Sequence, residues 1–129
     1  MMEKSRILKP TFIRNDDRGL FVEITHEGPW ETVIHGSMQK GASMGNHYHR
    51  ECRAFFYLVS GKAEISIRNI VEKTEDVYSL GSGEGIKFLP YECHEVRYCE
   101  DSDFVFLKSY RYDPDNPDIY PPGDSHESG

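Results

Sequence analysis

The stretch FFYLVSGKAEISIR, residues 55–68, decides the fold class of this sequence. It opens with a short apolar run, and the composition of Ser60-Gly61-Lys62 predicts a tight turn after it. Beyond the turn, apolar and polar residues alternate, which is the period of a strand with one buried face. An apolar run, a glycine turn and an alternating run together predict a β-hairpin.

The composition around this stretch also favours strands. The chain has 8 Tyr, 7 Phe and 11 Gly, and it has only 3 Ala and 6 Leu against 7 Val and 9 Ile. Pleated surfaces favour β-branched and aromatic residues, whereas helical bundles need Ala and Leu. No convincing helix of ten residues is present, and further strands are predicted near residues 12–13, 20–25, 30–38, 77–80, 86–89, 93–98 and 104–110. Short strands at this spacing predict an all-β sandwich or jelly-roll barrel.

The length and the charge suggest one domain with an acidic tail. A chain of 129 residues is long enough to bury a core of its own. We expect residues 1–112 to form the domain behind an N-terminal arm, and residues 113–129 to form a Pro-rich tail with a disordered end. The net charge is −7, but the tail holds five acidic residues and no Lys or Arg, which leaves −2 on the domain. A chain without a basic face is not expected to bind nucleic acid, while an anionic small molecule is not excluded.

Targeting signals are not expected in this sequence. No apolar run approaches the roughly 18 residues of a membrane span, and the first residues lack the apolar stretch of a secretory signal. Cys52, Cys93 and Cys99 form no CxxC pair, which predicts free thiols. These features predict a cytoplasmic protein with no membrane span.

The sharpest local motif is GNHYH, residues 45–49. Residues two apart share a face of a strand, so His47 and His49 are expected to point the same way. A third histidine, His94, follows Pro90 where a second strand can bring it alongside. Three neutral imidazoles form an open metal site, and the same groups accept and return protons near neutral pH. Two histidines on a strand are often only polar surface residues, and it is the third one that favours a site.

GNHYH and the later segment GIKFLPYECH resemble the two motifs of the cupin superfamily. This resemblance implies a cupin β-barrel of jelly-roll topology in a single domain. The first cupin motif supplies two histidines and a glutamate and the second supplies another histidine, which match His47, His49 and His94. The glutamate position holds Ala54. A divalent metal (Zn, Fe, Mn or Ni), if one is bound, would therefore be held by three histidines.

Several segments resemble the sugar-nucleotide branch of the cupins over residues 12–120. DRGLFVE, residues 17–23, resembles the dTDP-4-keto-6-deoxyhexose 3,5-epimerases. GNHYH, VSGKAEISIRN, PYECHEV and YDPDNPDIY resemble the C-terminal cupin domain of capsular-polysaccharide reductases, and residues 110–113 resemble the end of the dTDP-keto-sugar 3,4-ketoisomerases. The resemblance implies an epimerase or ketoisomerase that acts on a nucleotide-linked 4-keto deoxysugar in polysaccharide or glycoconjugate biosynthesis.

The chemistry of a keto sugar suits imidazole groups. The ketone acidifies the neighbouring C–H bonds, and a base with an unperturbed pKa near 6.5 transfers such protons reversibly. The resemblance implies that His47 is the base. We assign His49 as its partner or as a stabiliser of the enolate, and His94 as a metal ligand or second acid. The tyrosine acid of the 3,5-epimerases falls on Phe106, which disfavours a double epimerisation.

The substrate's nucleotide diphosphate requires cations, and aromatic rings can stack on its base or sugar. The candidate substrate-binding residues are Arg18, Lys40, Arg53, Tyr57 and Tyr98. The resemblance also implies a homodimer.

Two other functions stay open at this point. One is a binding module that senses a sugar or a metal without turnover, which Ala54 and Phe106 favour. The other is a metal-dependent cupin enzyme of different chemistry, such as a dioxygenase or a phosphosugar isomerase.

Overall fold

A computed structural model describes residues 4–122, and these residues form eleven β-strands and no α-helix. The strands are β1 (Ile7–Leu8), β2 (Phe12–Asp16), β3 (Gly19–Glu23), β4 (Thr32–Met38), β5 (Ser43–His47), β6 (Ala54–Ser60), β7 (Lys62–Asn69), β8 (Thr74–Gly81), β9 (Glu84–Phe88), β10 (Glu92–Tyr98) and β11 (Ser102–Lys108). The predicted all-β class is therefore confirmed. No helix in this part of the chain is long and apolar enough to cross a membrane.

Strands β4 to β11 have the order of a jelly roll. A five-stranded sheet has the order β1-β9-β6-β11-β4, and a four-stranded sheet has the order β5-β10-β7-β8. Except for β7 and β8, each consecutive pair from β4 to β11 passes from one sheet to the other. This alternation is typical of a double-sheet jelly roll. Within residues 4–122 the sheets remain separate, so the fold is a sandwich of two sheets and not a closed barrel.

The main core lies between the two sheets. Phe56 and Leu58 of the five-stranded sheet pack there with Ile65 and Ile67 of the four-stranded sheet. A second cluster covers the outer face of the five-stranded sheet, where Phe55 and Tyr57 pack against Val22, Ile24 and Trp30 of the N-terminal segment. Strand β6 is therefore buried on both faces and is apolar at successive positions. Strand β7 has one solvated face, which explains its alternating sequence.

The predicted hairpin within residues 55–68 is wrong. Strand β6 pairs with β9 and β11, whereas β7 pairs with β8 and β10, so the two strands lie in different sheets. Only Gly61 separates the two strands, and the shortest common hairpin loop needs two residues. The predicted turn is present, but it connects a strand of the five-stranded sheet to a strand of the four-stranded sheet.

The predicted tail is partly ordered. Tyr120 exchanges two main-chain hydrogen bonds with Tyr48, at 3.0 and 2.9 Å. Ile119 is 40% exposed, while the carboxylate-bearing Asp118 is buried. The segment therefore packs on the domain through Asp118 and Tyr120. The predicted disordered end, from residue 123 onwards, lies outside the described residues.

Gly61 is expected to be irreplaceable at the crossing between the sheets. Its φ is +104°, and a Cβ there would lie 2.7 Å from the main-chain oxygen of Asp101, with the Ser102 side chain also too close. We expect Gly61→Ala to lower the free energy of unfolding by about 2–5 kcal/mol, because backbone strain adds to overpacking. The measurement is urea unfolding followed by circular dichroism.

Gly41→Ala is the matched control. Gly41 has a φ of +91° but no heavy atom within 4 Å of the added Cβ, so only the conformational strain applies. We expect a loss of about 1–2 kcal/mol there. Equal losses in the two variants would contradict the steric argument at Gly61.

Candidate functional site

His47, His49 and His94 meet at one end of the four-stranded sheet. His47 is the last residue of β5, and its Cα partner on β10 is His94. His49 lies two residues beyond His47 and presents its ring on the same side. Tyr48 points the other way and stacks on Tyr120 with ring centroids 5.3 Å apart. The sheet thus brings together three imidazoles that are 2 and 45 residues apart along the chain.

The three rings are in mutual contact. The ring centroids lie 5.0 Å apart for His47 and His49, 4.9 Å for His47 and His94, and 5.5 Å for His49 and His94. One ring nitrogen from each residue lies within 4.8 Å of the others. His94 is only 3% exposed, and its ring stacks on Phe88 of the facing sheet at 4.1 Å. The histidine cluster therefore lies between the two sheets, at one end of the jelly roll.

A cavity of about 240 Å³ opens beside His47 and His94. Its remaining lining is apolar or glycine: Ile34, Met44, Gly45, Phe88, Val96, Phe104 and Phe106. The histidines stand on the wall formed by the four-stranded sheet. The facing wall, from the five-stranded sheet, carries the three phenyl rings. The two walls of the cavity therefore differ in chemistry.

Burial makes the imidazoles neutral. It lowers the pKa of His47, of His49 and, most strongly, of His94 below the ordinary histidine value. The neighbouring imidazoles lower the pKa of His94 further, because two positive rings so close together repel. At neutral pH all three rings are in the form that accepts a proton or binds a metal.

The backbone of Asp118 fixes the tautomer of His49. The Nδ1 atom of His49 lies 2.7 Å from the main-chain oxygen of Asp118, and because a carbonyl can only accept, Nδ1 donates. The lone pair of His49 is therefore on Nε2. The Asp118 carboxylate accepts hydrogen bonds from the backbone N–H groups of Arg50, Glu51 and Cys52, at 2.8, 3.1 and 2.9 Å. One residue thus fixes both the loop after GNHYH and the ring of its second histidine.

Asp118 and Lys108, the last residue of β11, also lie at the histidine end of the sandwich, although no sequence motif pointed to them as site residues. Asp118 lies 69 residues after His49 in a segment assigned to the tail, and no spacing rule connects such distant positions. The one available signal was the resemblance of YDPDNPDIY to capsular-polysaccharide cupins. Lys108 is the Cα partner of Ala54 at the histidine end of the sandwich, a pairing that the sequence does not reveal.

The donor set fits a metal held by three histidines. The rings are neutral, the donor nitrogens lie close together, and the second nitrogen of His49 is held by a carbonyl, as in many metal sites. Ala54, at the position of the cupin glutamate, is buried and offers no ligand atom. Glu51 lies on the loop after His49, where its carboxylate accepts a 2.7 Å hydrogen bond from the Tyr110 hydroxyl.

The cationic candidates from the sequence lie on the surface. Arg18 occupies the exposed turn between β2 and β3, where it pairs with Asp16 at 2.6 Å. Lys40 lies in the turn before β5, about 13 Å of strand length or more from His47. Arg53 is exposed just before β6, at the histidine end of the sandwich. The structure does not bring Arg18 or Lys40 together with the histidines, and the binding roles of all three cations stay predictions.

The tyrosine candidates are packing residues in this chain. Tyr57 lies in the cluster on the outer face of the five-stranded sheet. Tyr98 lies in the main core, four residues along β10 from His94, and its hydroxyl donates to the Met44 sulfur at 3.4 Å. Burial raises the pKa of both phenols. The structure does not bring either tyrosine together with the histidines, and their binding roles also stay predictions.

Comparison with known families decides the classification. Residues 14–120 match the family described as the polysaccharide biosynthesis C-terminal domain. The chain belongs to this family. The match spans the jelly roll and includes all three histidines, Lys108 and Asp118. Membership of the polysaccharide biosynthesis C-terminal domain family agrees with the resemblance of the sequence motifs to the cupins of nucleotide-sugar chemistry.

Solved structures with the same fold include a protein of capsular polysaccharide assembly. The capsular polysaccharide assembling protein CapF from Staphylococcus aureus is 26% identical, with a TM-score of 0.65 over 85% of this chain and 33% of that chain. This chain therefore spans about a third of the length of CapF. No curated protein sequence matches the chain.

Two enzymes of similar size share the fold. The 3,4-ketoisomerase QdtA from Thermoanaerobacterium thermosaccharolyticum, solved with TDP-4-keto-6-deoxyglucose, has a TM-score of 0.77 at 16% identity, over 98% of this chain and 97% of that chain. The dTDP-4-dehydrorhamnose 3,5-epimerase from Sulfolobus tokodaii has a TM-score of 0.74 at 17% identity, over 86% of this chain and 73% of that chain. These likenesses confirm the predicted cupin fold.

The Asp118 side chain is expected to contribute substantially to the free energy of unfolding, although it lies near the end of the chain. In Asp118→Ala, three backbone N–H groups lose their acceptor, and Cys52 is buried. We expect the free energy of unfolding to fall by about 2–4 kcal/mol. Thermal and urea unfolding measure this loss.

Asp115→Ala is the matched control for this prediction. Asp115 is exposed on the same segment, so its loss is expected to change the stability by less than about 0.5 kcal/mol. If Asp118→Ala were as stable as Asp115→Ala, the loop after His49 would not depend on the carboxylate.

Proposed function

We propose that this chain binds a nucleotide-linked 4-keto deoxysugar and moves a proton from a carbon beside the ketone to the carbonyl carbon, which shifts the ketone to the neighbouring position. The observation that carries the proposal is the two-walled cavity, with neutral imidazoles on one wall and phenyl rings on the other. The family description and the folds of the neighbours support a role in polysaccharide biosynthesis.

The proposed reaction needs a base and no oxidant. His47 lines the cavity and takes the proton from the carbon beside the ketone. The C–H electron pair forms a C=C bond, and the carbonyl electron pair moves onto oxygen. Proton transfer from the neighbouring hydroxyl to that oxygen, followed by return of the first proton to the former carbonyl carbon, gives the shifted ketone. His49, whose Nε2 carries a lone pair, assists His47 in holding the proton in transit.

The arrangement of the walls favours a keto shift over an epimerisation. An epimerase must return the proton to the face opposite the one it left, which requires an acid on the second wall. The residues of the five-stranded sheet that line the cavity are Ile34, Phe88, Phe104 and Phe106, and none of these side chains has a proton to give. By the resemblance of the sequence motifs, Phe106 takes the position of the tyrosine acid of the 3,5-epimerases. A base that works from one wall can carry a proton between adjacent carbons on a single face.

The size of the cavity supports a division of the substrate between the cavity and its rim. Its volume of about 240 Å³ is below the roughly 300–1,000 Å³ of pockets that hold a whole drug-sized ligand. The sugar ring therefore occupies the cavity, and the nucleotide lies outside on the rim. Arg53, at the same end of the sandwich, is a suitable contact for the diphosphate.

A divalent metal stays part of the proposal. His47, His49 and His94 would hold it. When bound, such a metal would polarise the ketone as a Lewis acid.

Solvent exchange tests the proposed function. The purified protein is incubated in heavy water with dTDP- or UDP-linked 4-keto-6-deoxyglucose, and deuterium at the carbons beside the ketone is followed by NMR and mass spectrometry. We expect wild-type exchange and a 3-keto product. His47→Gln is expected to lower the exchange rate by about 100-fold or more, since the base is lost.

The controls separate the possible readings of that experiment. His26→Gln removes an exposed histidine just after β3 and is expected to exchange like wild type. A parallel sample with a chelator, together with elemental analysis of the protein, shows whether exchange needs a metal. Tight sugar-nucleotide binding without any exchange would reject the enzyme and favour a binding module.

We further propose that the chain is a homodimer built through its N-terminal hairpin. Strands β2 and β3 pair only with each other among the described residues. Their large apolar side chains are exposed: Phe12 by 50%, Leu20 by 67% and Phe21 by 53%. Val33 on the edge strand β4 is 72% exposed. A second copy of this chain, with the same apolar hairpin and the same open edge, would cover both surfaces.

Light scattering during gel filtration tests the dimer. The wild type is expected to elute with twice the chain mass, and Leu20→Asp is expected to shift the population to monomer, because a carboxylate would be buried in the interface. Val77→Asp is the control, since Val77 is 64% exposed but lies on the four-stranded sheet. A monomeric wild type at micromolar concentration would reject this proposal.

A further inference from the structure

Lys108 lies in the same cross-strand row as Phe88, the residue that stacks on His94. Ala54 of β6 has Phe88 as its Cα partner on one side and Lys108 on the other. Phe104 and Phe106, the preceding alternate residues of β11, both pack into the main core. Because alternate residues of a strand share a face, the side chain of Lys108 leaves β11 towards the interior.

This row faces the histidines across the sandwich. Phe88 stacks on His94 with ring planes only 2° apart. Between Phe88 and Lys108 stands Ala54, whose methyl group leaves room for a long side chain at the level of the imidazoles. Lys108 is close enough for its charge to act on all three rings: burial is the largest cause of the lowered pKa of His47, His49 and His94, and the Lys108 charge lowers each pKa further.

The ammonium group of Lys108 has no hydrogen-bond or ion-pair partner among the residues that the structure describes. Lys108 is partly buried, and among residues 4–122 its side chain makes no hydrogen bond and no ion pair. The surrounding imidazoles are neutral and the nearest position on β6 carries Ala54, so no carboxylate of the row neutralises the charge. A bound ligand with an electron-rich oxygen could therefore accept a hydrogen bond from the Lys108 ammonium group.

We propose that Lys108 is a catalytic residue that binds the ketone oxygen of the sugar and stabilises the negative charge that develops on it. The inference rests on the proposed function, since that oxygen becomes an enolate when His47 removes the neighbouring proton. The ammonium donates a hydrogen bond to the oxygen throughout and neither gains nor loses a proton. The imidazoles on one wall would then supply the base, and the cation beside the other wall would stabilise the oxyanion.

Two substitutions at the same position test the assignment. Lys108→Met keeps the length of the side chain and removes the charge, and Lys108→Arg restores a charge. We expect Lys108→Met to lower the rates of both deuterium exchange and product formation by about 100-fold, and Lys108→Arg to recover part of each, because a positioned donor is worth about that much. Lys62→Met, at an exposed lysine at the start of β7, is expected to behave like wild type.

Binding of the bare nucleotide separates the ketone from the diphosphate. We expect the Kd for dTDP or UDP, measured by calorimetry, to stay within about twofold of wild type in Lys108→Met, because the nucleotide lacks the ketone. A large loss of nucleotide affinity would move Lys108 to the diphosphate and overturn the proposal. Circular dichroism and the Tm verify folding, and Lys108→Gln replaces Lys108→Met if the latter is unstable.

The remaining outcomes are also decisive. Exchange that persists while the product is lost would make Lys108 a proton donor and not an oxyanion stabiliser. Wild-type rates of both in Lys108→Met would overturn its catalytic role and leave the proposed function standing. No exchange by the wild type with either nucleotide sugar would overturn the proposed function and, with it, the role of Lys108.

Discussion

A single glycine connects β6 with β7, and this short connection determines which strands can pair. With Gly61 alone between them, the two strands cannot fold back into a hairpin, so the chain crosses from one sheet to the other. The main core then forms between β6 and β7 as facing strands, and β9, β10 and β11 complete the two sheets around them. The cavity inherits this geometry, since one wall comes from each sheet.

The two walls of the cavity carry different side chains, so the proton-accepting groups lie on one side of a bound ligand. His47 and His94 are neighbours across two strands of one sheet, and the other sheet supplies phenyl rings at the same level. Burial against those rings keeps the imidazoles neutral, because a charged ring would lose its hydration. The same packing that stabilises the jelly roll therefore prepares the proton-accepting groups. The segment around Asp118 closes the arrangement from the outside by holding His49 in one tautomer.

Local patterns predicted the fold class and part of the site. The scarcity of Ala and Leu and the alternation after residue 62 led to an all-β domain, and the structure confirms it. The apolar run of residues 55–59 predicts one arm of a hairpin, but residues 55–58 belong to a strand that is buried on both faces. A continuous apolar run does not reveal its pairing partners, because in this chain they lie on β9 and β11, far away in sequence.

The sequence by itself determined the chemistry that this chain can carry, and the tertiary structure decided where that chemistry meets. The HxH spacing places His47 and His49 on one face, because the period of a strand is a local property of the backbone. Strand pairing places His94 beside His47 and Lys108 beside Ala54. The segment after β11 places the main-chain oxygen of Asp118 within hydrogen-bond distance of His49. These contacts join residues up to 69 positions apart, and only the packing of two sheets around one core selects them.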